Sequence, residues 1–217
     1  MKIAQDEPAL KKGRVKPGVA IALIAATVIL VAGLGLAVGY AFFWDTYDTA
    51  NKAEHDFMVA KAVVNAEPDN VDARIALGWS FVDLGQYDQA LEQYQNALKL
   101  DPANKVAKYN IALVKLQRKD YQGARADLEA LQSEDPKYLD VRASLGYLYL
   151  QLGEYEPAVK EFEMVNAFYP GRVDILSQLA QSYAKTGDKA KAIAAYQEAL
   201  KYDPNAKDIK NALTALN

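Results

Sequence analysis

Residues able to carry chemistry are few in this chain, and their spacing gives them little to do. His55 is the only histidine, flanked by Glu54 and Asp56. One imidazole cannot build a multi-histidine metal cluster, and with acidic neighbours on both sides it reads as part of a solvated helix face. Cysteine is absent, which excludes disulfides, thiolate catalysis, zinc–thiolate and iron–sulfur sites, thioether-bound haem and a lipoprotein anchor. The same absence fits an oxidising or a reducing compartment equally well. Carboxylates are scattered, and no spacing singles out a pair as general acid and base. The chain has no phosphate-binding glycine loop, nucleophile elbow or HExxH sequence. Gly33, Gly35 and Gly39 superficially imitate a nucleotide-binding fingerprint, but the spacing is wrong and the strand–turn–helix context is missing. The expectation is a protein that is not an enzyme and holds no cofactor or metal.

The elements that would position any site divide the chain in two. Its 217 residues are 51% hydrophobic and 24% charged, ordinary values for a globular protein. Yet no charged residue occurs between Pro17 and Trp44. Before that run, Lys2, Lys11, Lys12, Arg14 and Lys16 outweigh Asp6 and Glu7, a net +3 that leaves −6 on the remainder. An acidic domain repels a phosphate backbone, so nucleic acid is not an expected partner.

Residues 18–44 read GVAIALIAATVILVAGLGLAVGYAFFW. About 20 apolar residues cross ~30 Å of hydrocarbon as a helix, and a run this long without a polar face is not a core helix. It also exceeds the hydrophobic stretch of a cleaved signal peptide, and no A-x-A site follows it. An uncleaved signal anchor is predicted, preceded by a short basic tail over 1–17. Positive flanks stay in the cytoplasm. That places the N-terminus inside and the rest outside a cell membrane crossed once. Tyr40, Phe42, Phe43, Trp44 and Tyr47 would sit at the outer headgroup level. Gly33, Gly35, Ala37 and Gly39 have the small-xxx-small spacing that lets a second membrane helix approach, so contact between helices in the span is a further expectation.

Beyond the span, a period dominates. Pro68, Pro102, Pro136, Pro170 and Pro204 stand 34 residues apart, five of eight prolines on one comb. Leu77, Ile111, Leu145 and Leu179 align, each followed by a small residue: Gly78, Ala112, Gly146 or Ala180. Ala90, Ala124, Ala158 and Ala192 also align, with Tyr94, Leu128, Phe162 and Tyr196 four positions later. Each unit makes sense as two helices: small residues allow a close crossing, and large ones at the Phe81 and Tyr94 offsets fill the space beside it. Gly85, Gly153 and Gly187 stop the first helix. The comb proline ends the second, and the extra Pro157 falls at a second helix's start, where it is tolerated.

The fragments LGWSFVDLGQYDQALEQYQNALKLDP and LGYLYLQLGEYEPAVKEFEMVNAFYP carry this pattern most fully, and the chain resembles the tetratricopeptide repeat (TPR) family. The resemblance implies an all-α solenoid of helical hairpins with four repeats over 71–206, divided as 71–104, 105–138, 139–172 and 173–206. Departures are visible. Lys115 and Lys119 replace an aromatic and a glycine, Lys189 stands where Tyr87, Tyr121 and Tyr155 stand, and the family's tryptophan is Arg74, Lys108, Arg142 or Leu176. A connecting helix over 45–70, with an apolar stripe of Ala53, Phe57, Ala60 and Val64, precedes the repeats. Ile209, Ala212, Leu213 and Leu216 predict an amphipathic cap over 207–217.

In this family the concave face, built from first helices, holds an extended peptide or a partner's helix. The resemblance therefore puts Ile75, Trp79, Val82, Tyr109, Asn110, Leu113, Leu116, Tyr147, Leu150 and Gln151 in a groove, with a more polar fourth repeat carrying Ser177, Gln178, Gln181 and Lys185. One subclass clamps a carboxylate with basic residues. Only Asn110 matches that clamp, since Ile75, Asp140 and Ser144 occupy its basic positions. The expected function is a membrane-anchored scaffold or assembly factor that binds a protein segment of a membrane-associated complex. A permanent structural subunit of such a complex is the alternative.

Overall fold

The computed structural model describes residues 44–216, and every described element is an α-helix. The predicted tail (1–17) and nearly all of the predicted span (18–44), including Gly33, Gly35, Ala37 and Gly39, lie outside those residues. Among the described residues no helix is long and apolar enough to cross a membrane. The chain divides at Glu54–His55 into two units, Met1–Glu54 and His55–Asn217.

Ten helices are described: α1 (Trp44–Ala66), α2 (Val71–Asp83), α3 (Tyr87–Leu100), α4 (Lys105–Gln117), α5 (Tyr121–Glu134), α6 (Leu139–Leu152), α7 (Tyr155–Phe168), α8 (Val173–Thr186), α9 (Lys189–Tyr202) and α10 (Lys207–Leu216). From α2 onward each helix packs on the next, and α2, α4, α6 and α8 also touch one another in order. The even-numbered helices thus form one layer of a hairpin solenoid.

Short-range chemistry cuts the hairpins. Asn70 and Asn104, one period apart, cap α2 and α4 by accepting from the Ala73 and Ala107 amides at 2.9 and 3.0 Å. Asp120 and Asp188 do the same for α5 and α9. The first helices of the repeats end in the left-handed region, at Gly85 (φ 70°), Gly153 (φ 76°) and Gly187 (φ 88°). Lys119 takes the equivalent place with φ 62°, although its side chain disfavours that conformation. Asp101, Asp135 and Asp203 lock the turns that follow the second helices by accepting from the amide two residues on, at 2.9–3.1 Å.

Packing then follows the small-and-large comb. A Cβ added to Gly78 would lie 2.3 Å from the Tyr94 ring, and one at Gly146 would lie 2.8 Å from Phe162. Tyr94, Leu128, Phe162 and the four alanines of the Ala90 series are fully or almost fully buried. In α1, Phe57 meets Phe81 edge-on at 5.2 Å between ring centres, and Ala60 is buried, in keeping with the predicted stripe. At the far end Ile209 is buried, and Ala212, Leu213 and Leu216 close over the last repeat as the capping pattern requires.

Three of the four residues that replace the family's tryptophan bind elsewhere. The Arg74 and Arg142 Nε groups donate to the Pro68 and Pro136 carbonyls at 2.8 and 2.7 Å, tying each first helix to the turn before it. Lys108 instead reaches Glu134 at 2.9 Å, and Leu176 joins the core.

Two outcomes follow from this packing. Ala124→Leu or Ala158→Leu overfills a crossing and costs ~1–3 kcal/mol, read as a lower melting temperature of the helical circular dichroism signal. Lys119→Gly relieves the left-handed strain and raises stability by about 1 kcal/mol, read as a higher urea midpoint.

Candidate functional site

A hollow on the first-helix layer lies over α4, α6 and α8 and has a volume of about 390 Å³. Tyr109, Leu113, Leu116 and Gln117 supply the α4 wall, and Asp140, Ala143, Ser144 and Tyr147 the α6 wall. Arg172, Asp174, Ile175 and Gln178 close the third side, and Phe162 of α7 forms part of the floor.

This wall exists because of how α4 meets α6. The Tyr109 hydroxyl pairs with Ser144 Oγ at 2.9 Å and lies 3.3 Å from the Asp140 carbonyl, and the Tyr109 and Tyr138 rings pack 5.4 Å apart. Burial pushes the Tyr109 phenol above its ordinary pKa, and the Ser144 hydrogen bond opposes that shift. Tyr109 is therefore a tie between successive repeats that shows one edge to the groove. Tyr147 is different: it is 45% exposed, a large ring open to solvent beside Leu113.

The hollow holds one closed charge pair, and the Asp140 carboxylate stands beside it. Arg172 forms a two-pronged pair with Asp174, with its Nη2 2.6 Å from Oδ2. That pair holds the Asp174 carboxyl below its ordinary value and raises the Arg172 guanidinium. Beyond these charges the lining is apolar, with Gln117, Gln178 and Ser144 as polar points. No group of three or more metal-ligating side chains gathers among the described residues.

The predicted groove residues separate into four sets. Tyr109, Leu113, Leu116 and Tyr147 come together in this hollow. Trp79, 43% exposed, lines another hollow between α1 and α2, so the expected continuous strip divides. Val82 and Leu150 are half-buried against the core, and Gln151 is exposed on α6 without lining the hollow. Two placements need correction: Ile75 is 7% exposed and Asn110 is 2% exposed. Ile75 faces the second helix and packs with Ala90 and Tyr94, and Asn110 is enclosed with neither amide atom partnered by protein. A first helix has both an inner and an inter-helix face, and the register alone drew the inner one too wide. On the α8 wall the register points to Gln178, whereas Arg172, Asp174 and Ile175 were not predicted. Arg172 precedes α8 as its N-cap, where no inner-face periodicity points to it.

Family profiles described as tetratricopeptide repeat match residues 59–104 and 75–139, 115–172, and 173–206. The chain belongs to the tetratricopeptide repeat family. No curated protein matches it by sequence. Among solved structures it is similar to MamA, with 23% identity and a TM-score of 0.60 over 77% of this chain and 95% of that one. It is also similar to YrrB, whose structure is described as a TPR protein with an unusual peptide-binding site. There the identity is 18% and the TM-score 0.60, covering 78% of this chain and 88% of YrrB. A thermophilic TPR protein of Thermus thermophilus gives 18% identity and a TM-score of 0.62 over 79% and 93% of the two chains. At these identities the likeness is one of fold.

Because Tyr109 ties one TPR to the next, Tyr109→Phe leaves Ser144 without that partner and costs about 0.5–1.5 kcal/mol. The measurement is the urea midpoint, with an unchanged helical spectrum before the transition.

Proposed function

We infer that this chain is a non-enzymatic TPR scaffold, anchored in a membrane by residues 18–44, which binds a protein segment in the hollow over α4, α6 and α8. The observation that carries the binding reading is Tyr147, a large exposed ring above an apolar wall in a place where TPR proteins receive peptides. The peptide-binding site named for YrrB is in accord with this use of the fold. The lining favours an extended or helical segment with one or two apolar side chains for the Leu113–Tyr147 wall and backbone amides for Gln117 and Gln178.

Membrane anchoring rests on the uncharged run over 18–44 and its basic flank. In this reading the TPR domain lies outside the cytoplasm and serves a membrane-associated complex, as an assembly factor or as a lasting subunit. Pull-down after mild detergent extraction distinguishes the two. Stoichiometric, salt-resistant partners mark a subunit, and substoichiometric or varied partners mark an assembly factor.

Tyr147→Ala is expected to weaken capture of the partner by about tenfold or more while the helical spectrum stays intact. High salt has little effect on the contact with Leu113 and Tyr147, which is apolar. Retention of every partner by the folded variant places binding elsewhere. For topology, protease added to intact cells, or to spheroplasts where an outer membrane exists, is expected to digest the repeats. Full protection until detergent is added reverses the orientation.

A further inference from the structure

A second surface stands apart from the groove, and the repeat arithmetic explains it. From Ala53 to Ala66, α1 lies one period before α3 and so occupies the place of a second helix whose own first helix would have to precede it. In α3, α5, α7 and α9 the positions of the Ala90, Tyr94 and Ala97 series are at most 6% exposed, with each repeat's first helix packed on the second. The α1 counterparts are Asp56, Ala60 and Val63. Val63 is 38% exposed, neighbouring Val59 is 49% exposed, and the Asp56 side chain is 52% exposed.

The facing wall on α2 has the same history. Ala76 is exposed, whereas its counterparts Asn110, Ser144 and Gln178 are buried or half-buried, Ser144 held by Tyr109 of the preceding first helix. Between the walls is a hollow of about 630 Å³ with Val59, Val63 and Trp79 on its apolar surface. Residues 44–49, which fall at the first-helix offset, are instead the beginning of α1, and the helix continues through Asn51 where a later repeat would turn.

The rim specifies charge. Asp56, Asp72 and Asp83 line the hollow, no lysine or arginine among the described residues does, and the single imidazole, His55, lies 3.6 Å from Asp56. We propose that this hollow is the seat of one amphipathic helix of a partner protein, about as long as the 13-residue α2, with apolar residues against Val59, Val63 and Trp79 and basic residues at its edges. The helix completes the half-repeat begun by α1, burying an apolar wall and neutralising three carboxylates at once.

The protein itself supplies a probe. Residues 105–117, KVAKYNIALVKLQ, have three lysines and no acid. As α4 they meet α6 through Tyr109, at Ser144 and the Asp140 carbonyl, positions that recur as Ala76 and Asp72. Their lysines pair with carboxylates of the neighbouring second helix and its C-cap. A fluorescent, hydrocarbon-stapled peptide of this sequence is titrated by anisotropy against the full chain in detergent micelles. Saturable binding is expected, weakened about tenfold or more by Trp79→Ala and by combined Asp56→Lys, Asp72→Lys and Asp83→Lys, and unchanged by Tyr147→Ala. A peptide with Lys105→Glu, Lys108→Glu and Lys115→Glu reverses the preference and binds the lysine-bearing chain better, a rescue that an unfolded variant would not show. No binding to the unaltered chain at about 1 mM peptide overturns the proposal, as does equal affinity for all chains. A dimer that depends on the three aspartates and resists the peptide assigns the seat to a second copy and overturns it as well. The Tyr147→Ala arm separates this outcome from failure of the groove.

Discussion

Everything in the repeat domain depends on how closely two helices can cross inside each hairpin. At Gly78 and Gly146 the approach is so tight that a single added carbon would enter the ring of Tyr94 or Phe162. The second and fourth repeats solve the same problem with Ala112 and Ala180 opposite Leu128 and Tyr196. Once the crossing is fixed, the second helix presents its alanine comb to the first at zero exposure, and the hairpin becomes a rigid unit. Stacking these units buries the rest, so stability comes from neighbours on either side.

Between units, polar ties set the stagger that apolar contact alone leaves loose. Tyr149 reaches Glu129 of the previous repeat at 3.1 Å, and Tyr183 reaches Glu163 one period later. Arg125 bridges Glu129 and Glu154 and lies 5.3 Å from the Tyr149 ring. Arg142 shares Glu161 with Gln132, with both members of the ion pair about 15% exposed. These bonds lie partly out of water, where hydrogen bonds to charged groups contribute most. The basic residues at the family's tryptophan position belong to the same scheme, since Arg74 and Arg142 hold backbone that a ring could not.

The two surfaces left open differ in kind. The groove over α4, α6 and α8 has an apolar wall at Leu113 and Tyr147, a charge pair closed on itself at Arg172 and Asp174, and the Asp140 carboxylate beside them. The hollow beside α1 combines an apolar wall with carboxylates that no lysine or arginine among the described residues meets. A single solenoid can therefore hold two partners by different physics, one through desolvation of a ring and the other through charge as well. The capped far end offers no comparable opening, because α10 already covers the last repeat.

The amino-acid sequence by itself determined the hairpin units, their boundaries, the turn glycines, the cap and the α1 stripe. These features depend on local rules with a fixed period, and 34 residues of spacing repeat them often enough to be unmistakable. Tyr109, Leu113, Leu116 and Tyr147 line one hollow because they sit on inner faces that follow from helix register. Only the tertiary structure decided which side of a first helix each remaining residue takes. Ile75 and Asn110 share the first helices with groove residues, yet they turn toward neighbouring helices and disappear from the surface. Arg172 and Asp174 reach the groove from the start of α8, and Trp79 lines a separate hollow between α1 and α2. Periodicity fixes an angle around one helix axis. What lies at that angle depends on the distance and tilt of the next helix, set by ring-against-glycine contacts between residues far apart in the chain.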